Sequence, residues 1–284
     1  MESLIGLYKP SGRSNLRAVF SIALKDWRIY WRYPLNAVSH VLQPIAWIVP
    51  AYFMGQAFSV NGKALGFAGY SGTTDYMSFI LIGSVIAAFI NTVFWGMGYS
   101  LKEDMDTGVL EPNWLAPASR PLLLVGRTLT SLLITTITAF STLAIAALLF
   151  GFQVDGNVLS ALAIAIPMLL GLYGFGFAFA ALILVLREAN TMVDVSSFLV
   201  TTFSGTQFPV TALPGFLLPV ALALPLTYGL DAIRGLLLTT TTLLPIWAEV
   251  GLMALFMVGM TALGLWVFTR LERWVRRRGT LSQH

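Results

Sequence analysis

The apolar stretch at residues 203–238 constrains the fold more than any other part of the chain. It is hydrophobic enough for a membrane, yet it contains Pro209, Pro214, Pro219 and Pro225. Proline lacks a backbone N–H and clashes with the preceding helical turn, so one straight spanning helix cannot form here. Irregular backbone at membrane depth survives only where protein or a water-filled cavity supplies hydrogen-bond partners. We therefore expect this segment to break, re-enter the membrane and line a cavity.

The composition indicates that the rest of the chain lies in the same apolar environment. Hydrophobic residues make up 57% and charged residues 11% of the 284 residues. Soluble domains contain about 25% charged residues. We therefore expect an all-α, polytopic membrane protein.

Uncharged runs of sequence define the expected spans, because about 20 residues suffice to cross the hydrocarbon core. The run at 195–230 is too long and too rich in proline for one helix, so we divide it into a span at 194–206 and a short returning pair of helices on the outer side, at about 207–230. The prediction is six transmembrane helices. The other runs occupy residues 35–62, 76–101, 128–154, 156–186 and 250–269.

Lys and Arg residues are distributed unevenly between alternate loops. The first 34 residues, the loop after the second span and the C-terminal tail carry most of them, whereas the opposite loops hold only Lys63 and Arg234. The positive-inside rule then predicts that both termini are cytoplasmic, and an even number of spans agrees. The net charge of +4 follows from this topology and from attraction to anionic lipids, so we expect no nucleic-acid partner.

The residue inventory excludes further functions. The chain has no cysteine, so it has no disulfide framework and no thiolate metal site. His40 and His284 cannot form a transition-metal site alone. We expect no cleavable signal peptide, because the first apolar run follows a charged lead of 34 residues. The expected regions are a cytoplasmic N-terminus at 1–34, a membrane domain at 35–270 and a basic cytoplasmic tail at 271–284.

Residues 16–32 predict an amphipathic helix that lies in the membrane interface. Apolar side chains recur at helical spacing on one face, and cations occupy the other. Tryptophans among basic residues suit the boundary between acyl chains and headgroups. The helix is either a simple anchor or a lever that transmits force from the cytoplasm into the first span.

The most polar stretch of the chain, at about 101–120, lies in a predicted cytoplasmic loop. Charged residues can prolong the second span out of the membrane, Gly108 can turn the chain, and apolar side chains follow. Such a segment suits docking into a groove on a soluble partner, whereas a merely solvated loop would leave its apolar side chains without a role. The candidate docking residues are Lys102, Glu103, Asp104, Asp106, Gly108, Val109, Leu110, Glu111 and Trp114.

This loop resembles the cytoplasmic motif of ABC-2 type transporter permeases, which reads E-x-x-x-G-T-L-E-x-L-x-x-x-P-x-x-x-x-x-L-L-x-G-K. The chain departs from the motif by Val109 in place of Thr and by Pro112, which would shorten the helix of the motif. The corresponding positions are Asp104, Gly108, Val109, Leu110, Glu111, Trp114, Pro117, Leu123, Leu124, Gly126 and Arg127.

The proline-rich stretch is similar to the second signature of the same family, S-G-x-x-F-P-x-x-x-L-P-x-x-L-x-x-x-x-x-x-x-P-L-x-Y-x-x-x-x-x-R. Together the two motifs extend the resemblance over essentially the whole chain, which looks most like the drug- and lipid-exporting, daunorubicin-resistance-like branch. The matching positions are Ser204, Gly205, Phe208, Pro209, Leu213, Pro214, Leu217, Pro225, Leu226, Tyr228, Asp231 and Arg234.

The resemblance implies one permease subunit of an exporter in a prokaryotic plasma (inner) membrane. Two such subunits, identical or different, would form the pathway for a drug, lipid or glycolipid, among membrane lipids. Two separate ATPase subunits would hold ATP and Mg. The chain itself has no phosphate-binding loop, since Gly62-Lys63 lacks the earlier glycine of GxxxxGK[ST]. We therefore expect no catalytic site and no bound cofactor.

The resemblance also assigns roles to three parts of the chain. The segment at 101–117 would be the coupling helix on the ATPase, and residues 16–32 the connecting helix beside it. The two short outer helices would cap the pathway. The connecting-helix residues are Lys25, Trp27, Arg28 and Arg32, and the outer-gate residues are Phe208, Pro209, Leu213, Pro214, Phe216 and Leu217.

Other polar and small residues within the spans leave alternatives open. Asp231 and Arg234 are spaced to pair on one helical face, either as an interfacial anchor or as a substrate contact. The glycines at 171, 174 and 176 either allow close helix approach or form a lipid-facing turn. Asn91, Thr92 and Trp95 either face the pathway or the subunit seam, or are satisfied internally.

Two other classes of function compete with the transporter subunit. A secondary transporter would need coupling carboxylates or broken helices in both halves of the chain, and only the C-terminal half is broken. An intramembrane enzyme would need a nucleophile with its base, or a metal motif such as HExxH, and neither occurs. A membrane scaffold without an ATPase partner is the remaining alternative. The sequence does not identify the substrate.

Overall fold

The computed structural model describes residues 12–60, 63–108, 120–152, 156–186 and 189–277. These residues form helices joined by short turns, and they contain no β-strand beyond an isolated bridge between Val60 and Lys63. In chain order the helices are α1 (Gly12–Arg32), α2 (Pro34–Ala57), α3 (Leu65–Ser71), α4 (Tyr76–Val93), a π-helical turn (Phe94–Tyr99), α5 (Ser100–Asp106), α6 (Arg120–Phe150), α7 (Val158–Leu186), α8 (Ala189–Phe203), a 3₁₀ turn (Val210–Ala212), α9 (Leu218–Ala223), α10 (Pro225–Leu238) and α11 (Ile246–Arg277).

Five helical stretches are long and apolar enough to cross a membrane, which confirms an all-α, multi-pass membrane protein. The second of them runs through α4, the π-helical turn and α5 without interruption. The five stretches are Ala37–Ala57, Tyr76–Asp106, Pro121–Phe150, Val158–Ile183 and Ile246–Trp274.

The predicted count of six spans is not confirmed. The span expected at 194–206 corresponds to α8, which has 15 residues and is therefore about 22 Å long, compared with a hydrocarbon core of about 30 Å. The helix stops early because Gly205 has a φ of 75°. The Gly205 and Thr206 amides donate back to the Thr202 and Thr201 carbonyls at 3.1 and 3.4 Å, which is the hydrogen-bond pattern of a glycine-terminated helix.

The helix α1 is present where the amphipathic pattern predicts it, and it packs against α6. Ala23 is buried, and its carbonyl accepts a hydrogen bond from the Thr130 hydroxyl at 2.8 Å. Leu16, Phe20 and Trp31 remain exposed. The apolar face is therefore divided, with one part held on α6 and the other left free for lipid or a partner.

Glycines allow the two long helices α7 and α11 to cross in close contact. A side chain at Gly264 would overlap the Gly174 carbonyl oxygen, and one at Gly174 would overlap the backbone at Met260. Gly171 lies in the same way against the Phe256 ring. The sequence left two alternatives at these glycines, close helix approach and a lipid-facing turn. The structure shows close helix approach.

We predict that Gly264→Val destabilises the protein, whereas Gly259→Val on the same helix does not. The first side chain meets backbone that cannot yield, and the second has no atom within 4 Å. We expect a loss of about 1–3 kcal/mol for Gly264→Val, measured as thermal unfolding in detergent. Equal melting of the two variants would contradict this account of the crossing.

Candidate functional site

The functional side chains gather at the two ends of the helix bundle. We call the end that holds the C-terminus of α5, the start of α6 and the basic C-terminal part of α11 the basic end. We call the opposite end, with α3, residues 204–217 and α9, the cap end. The hydroxyl of Thr211 donates to the Tyr70 carbonyl at 2.6 Å and joins α3 to the proline-rich segment there.

Prolines divide the cap segment as the sequence predicts. Pro219 and Pro225 begin α9 and α10, where a missing N–H costs nothing because the first amides of a helix have no partner within it. Pro209 is extended, with φ −64° and ψ 131°, and precedes the 3₁₀ turn. With 6 and 14 residues, α9 and α10 are too short to cross a bilayer.

The predicted gate residues fall into two environments. Pro209 is buried, and Phe208, Leu213 and Leu217 are half-buried against the bundle. Pro214 is exposed, and Phe216 is 77% exposed. The first group can therefore move only with the helices beneath it, whereas Phe216 is free to contact lipid or another chain.

Arg234 on α10 is the central polar residue of the cap end. Its side chain is buried, and its guanidinium donates to the carbonyls of Gly205 at 2.7 Å, Thr206 at 2.8 Å and Phe79 at 3.1 Å. The guanidinium carbon also lies 3.4 Å from the centre of the Phe79 ring. One side chain thus joins α10, the turn after α8 and the start of α4, and it satisfies carbonyls that irregular backbone leaves free.

A glycine makes this junction possible. A side chain at Gly83 on α4 would overlap the Thr206 carbonyl oxygen and the guanidinium of Arg234. Only glycine lets the turn after α8 lie directly on the helix at this height. No local sequence pattern indicates this contact at Gly83, because the contact depends on a segment more than 120 residues further along the chain.

The predicted pairing of Asp231 with Arg234 is not what the structure shows. Among the described residues no ion pair joins them, because the guanidinium is committed to the three carbonyls. Asp231 instead accepts a hydrogen bond from the Leu243 amide at 2.6 Å. Two residues at suitable helical spacing face different neighbours, and backbone acceptors outcompete the carboxylate for Arg234.

Asp231 has a second neighbour, Glu249, which the sequence patterns did not predict. Glu249 is fully buried near the start of α11, lies against the carboxyl group of Asp231, and accepts a hydrogen bond from the Leu244 amide at 3.1 Å. Two buried carboxyl groups in contact repel each other unless one holds a proton. The only signal in the sequence was an acid in the first turn of a long apolar helix, where the helix dipole favours it.

A partly buried ion pair organises the basic end. Asp104 on α5 pairs with Arg127 on α6 at 2.7 Å, and Arg127 also donates to the Ser100 carbonyl at 3.0 Å. Lys102 and Asp106 form an exposed pair along α5 at 2.7 Å. The helix that prolongs the second span is therefore fixed to α6 by its buried face and presents charges on its free face.

Gly108 turns the chain after α5, as predicted. Its φ is 68°, and its amide donates to the Met105 carbonyl at 3.1 Å, an arrangement that favours glycine. The remaining candidate docking residues, Val109, Leu110, Glu111 and Trp114, lie outside the described residues.

The predicted connecting-helix residues lie on α1 beside this end. Lys25, Arg28 and Arg32 are exposed, and Trp27 is half-buried. Trp27 contacts Trp31 edge to face with ring centres 5.7 Å apart. The described residues contain no group of three or more His, Cys, Asp or Glu side chains that could hold a metal ion.

The fold is that of a multi-pass helical membrane protein. Its second span ends in the helix α5, which is anchored to α6 at the basic end. At the opposite end the second span contacts a cap that prolines divide into short helices. The family model of the ABC-2 type transporter matches residues 17–238, which is most of the chain, so the protein belongs to the ABC-2 type transporter family. It is a membrane transport component of a kind that generally works with an ABC ATPase. No curated protein matches the chain as a relative.

We predict that Arg234→Lys destabilises the cap end. A single ammonium group cannot replace a planar guanidinium that reaches three carbonyls, and we expect a loss of about 2–4 kcal/mol. Thermal unfolding in detergent measures it. Arg273→Lys, at an exposed site on α11, is the matched control and should melt like wild type. A wild-type melting temperature for Arg234→Lys would show that the junction is not structurally required.

We predict that Glu249→Gln preserves stability whereas Glu249→Leu loses about 1–3 kcal/mol. Gln keeps an acceptor for the Leu244 amide and gains a donor toward Asp231, while Leu leaves both unsatisfied. Thermal unfolding again provides the measurement, with Asp194→Leu at an exposed position on α8 as control. If Glu249→Gln were as damaging as Glu249→Leu, a charged Glu249 would be required instead.

Proposed function

We propose that this chain is the permease subunit of an ABC exporter that moves a hydrophobic or amphipathic substrate outward. Two copies of the chain, or this chain and a related one, form the pathway, and two copies of a separate ATPase drive it. Both termini and the basic end face the cytoplasm of a prokaryotic cell, and the cap end faces outward. This orientation requires that α8, together with the turn after it, makes a sixth pass, although α8 is shorter than the five long helical stretches. The observation that carries the proposal is α5, a charged helical extension of the second span anchored by the partly buried Asp104–Arg127 pair in a chain of this family.

The second span supplies a mechanical link between the two ends. The helical stretch Tyr76–Asp106 has 31 residues and is therefore about 46 Å long. Asp104 fixes its basic end to α6, and Phe79 and Gly83 contact Arg234 and Thr206 at its cap end. A push on α5 by a closing ATPase would therefore reach the cap through one continuous helix.

The π-helical turn Phe94–Tyr99 lies within this link, closer to Asp104 than to the cap-end contacts of Phe79 and Gly83. Such turns contain an extra residue and occur frequently at functional sites. We propose that this turn is where the rigid helix bends, so that the coupling end and the cap end move by different amounts. The short helices α9 and α10 then act as re-entrant helices of an outer gate, with Phe208, Pro209, Leu213, Pro214, Phe216 and Leu217 at its opening.

One observation favours a second candidate, a proton-coupled secondary transporter. The half-buried Asp231 and the buried Glu249 carry carboxyl groups of the kind that couples proton movement to transport in pumps and carriers. They lie beside the cap, however, and bind the backbone amides of a turn, which is a sufficient structural role. The presence of an ATPase partner separates the two functions.

The first experiment is affinity purification of the tagged chain in mild detergent from its native host, followed by mass spectrometry. Recovery of an ATPase with a phosphate-binding loop at matching stoichiometry supports the exporter, and recovery of a second permease establishes a heterodimer. Repeated recovery of this chain alone, in several detergents, would favour the secondary transporter.

We predict that Asp106→Lys weakens ATPase recovery and transport at least tenfold while the protein still inserts and folds. The side chain is exposed at the tip of α5, so charge reversal changes the docking surface and not the core. Tenfold corresponds to about 1.4 kcal/mol. Lys63→Asp, an exposed charge reversal at the cap end, is the control and should keep the ATPase. Unchanged recovery with Asp106→Lys would remove α5 from the coupling interface.

A further inference from the structure

A groove runs along the half of the bundle nearer the basic end, between α2, the second span and α6. It has two lobes of about 440 Å³ each. The lobes share a common floor, so they form one continuous open groove. The floor residues are His40, Trp95, Gly96, Ser131 and Ile134.

The two lobes differ in chemistry. The deeper lobe is mostly apolar and extends along Pro44, Ala88 and Thr138 into the membrane-spanning part of the helices. The lobe at the basic end contains charged and aromatic side chains, among them Asp26 on α1 and Glu103 on α5. A channel that is apolar at one end and polar at the other fits a ligand with an apolar body and a polar head.

The polar lobe has an excess of negative charge. Arg127 is neutralised by Asp104 at 2.7 Å, and Asp26 pairs with Lys25 at 3.2 Å. The carboxylate of Glu103 forms no ion pair with the part of the chain that the structure describes. Arg28 and Arg32 of α1 do not line this lobe; they line a second cavity, which shares only Ile29 with it.

Aromatic rings line the same lobe as this carboxylate. Tyr30, Tyr33, Trp95 and Tyr99 line the lobe, and the rings of Trp95 and Tyr99 lie 5.4 Å apart. Trp95 and Tyr99 belong to the π-helical turn of the second span. Aromatic faces beside a carboxylate attract an organic cation, since the ring quadrupole and the charge act in the same direction.

Several hydrogen-bonding groups in the groove are free. Within the described ranges, the side chains of Gln43, Ser131 and Trp95 form no hydrogen bond, whereas Thr92 is satisfied by Thr135 at 2.6 Å. Side chains in a lipid-facing region usually find partners, because an unpaired polar group there is costly. Their freedom is expected of a surface that receives a ligand with polar atoms.

From this arrangement we propose that the groove binds a lipophilic organic cation, with its charge at Glu103 and the aromatic rings and its apolar body in the deeper lobe. This inference rests on the proposed function for the orientation that places the groove in the inner leaflet. The binding itself needs no ATPase. The site would admit substrate from the inner leaflet and hold it against the turn where the second span bends.

The test measures binding of two probes of equal shape and opposite charge, tetraphenylphosphonium and tetraphenylborate. The purified chain is reconstituted in lipid nanodiscs, and equilibrium dialysis against empty nanodiscs removes the contribution of lipid partition. We expect saturable binding of the phosphonium and none of the borate. Glu103→Gln should weaken phosphonium binding about tenfold, and Trp95→Leu should weaken it to a similar degree.

Asp194→Asn is the matched control, because Asp194 is an exposed carboxylate on α8 that lines neither lobe. It should bind the phosphonium like wild type. Three outcomes would overturn the proposal: equal binding of both probes, preferential binding of the borate, or unchanged phosphonium binding in Glu103→Gln. A failed binding test with an ATPase recovered from the host would reject the groove and keep the exporter. Phosphonium binding without a recovered ATPase would keep the groove and reject the exporter.

Discussion

The cap end depends on one buried guanidinium. Arg234 binds the carbonyls of Gly205 and Thr206, in the turn after α8, and of Phe79 on α4, which lies more than 120 residues earlier in the chain. Irregular backbone cannot be left unsatisfied in an apolar environment. The prolines therefore create a need for hydrogen-bond donors, and a planar group with five of them meets it.

The same span connects this junction with the basic end. Asp104 and Arg127 hold α5 against α6, and the π-helical turn lies between this anchor and the cap. Different parts of this one helix thus serve as anchors and as one wall of the groove. Its ends are fixed by charged groups that are buried or partly buried, and between them lies the irregular turn beside the groove that we propose as a binding site.

The patterns of the sequence predicted several elements but not their partners. The prolines at 209–225 predicted a broken segment, Gly108 a turn, and residues 16–32 an amphipathic helix, and the structure shows all three. The spacing of Asp231 and Arg234 predicted a pair that does not form. Spacing reports which side of a helix a residue occupies, whereas the partner depends on what the fold brings to that side.

The sequence by itself determined the class of the protein, because apolar runs of spanning length, few charges and placed prolines depend only on local chemistry and on the solvent. Only the tertiary structure decided that Gly83 and Gly264 are contact points and that Glu249 meets Asp231. Each of these features joins residues that are distant in the chain, and no local pattern encodes such a contact.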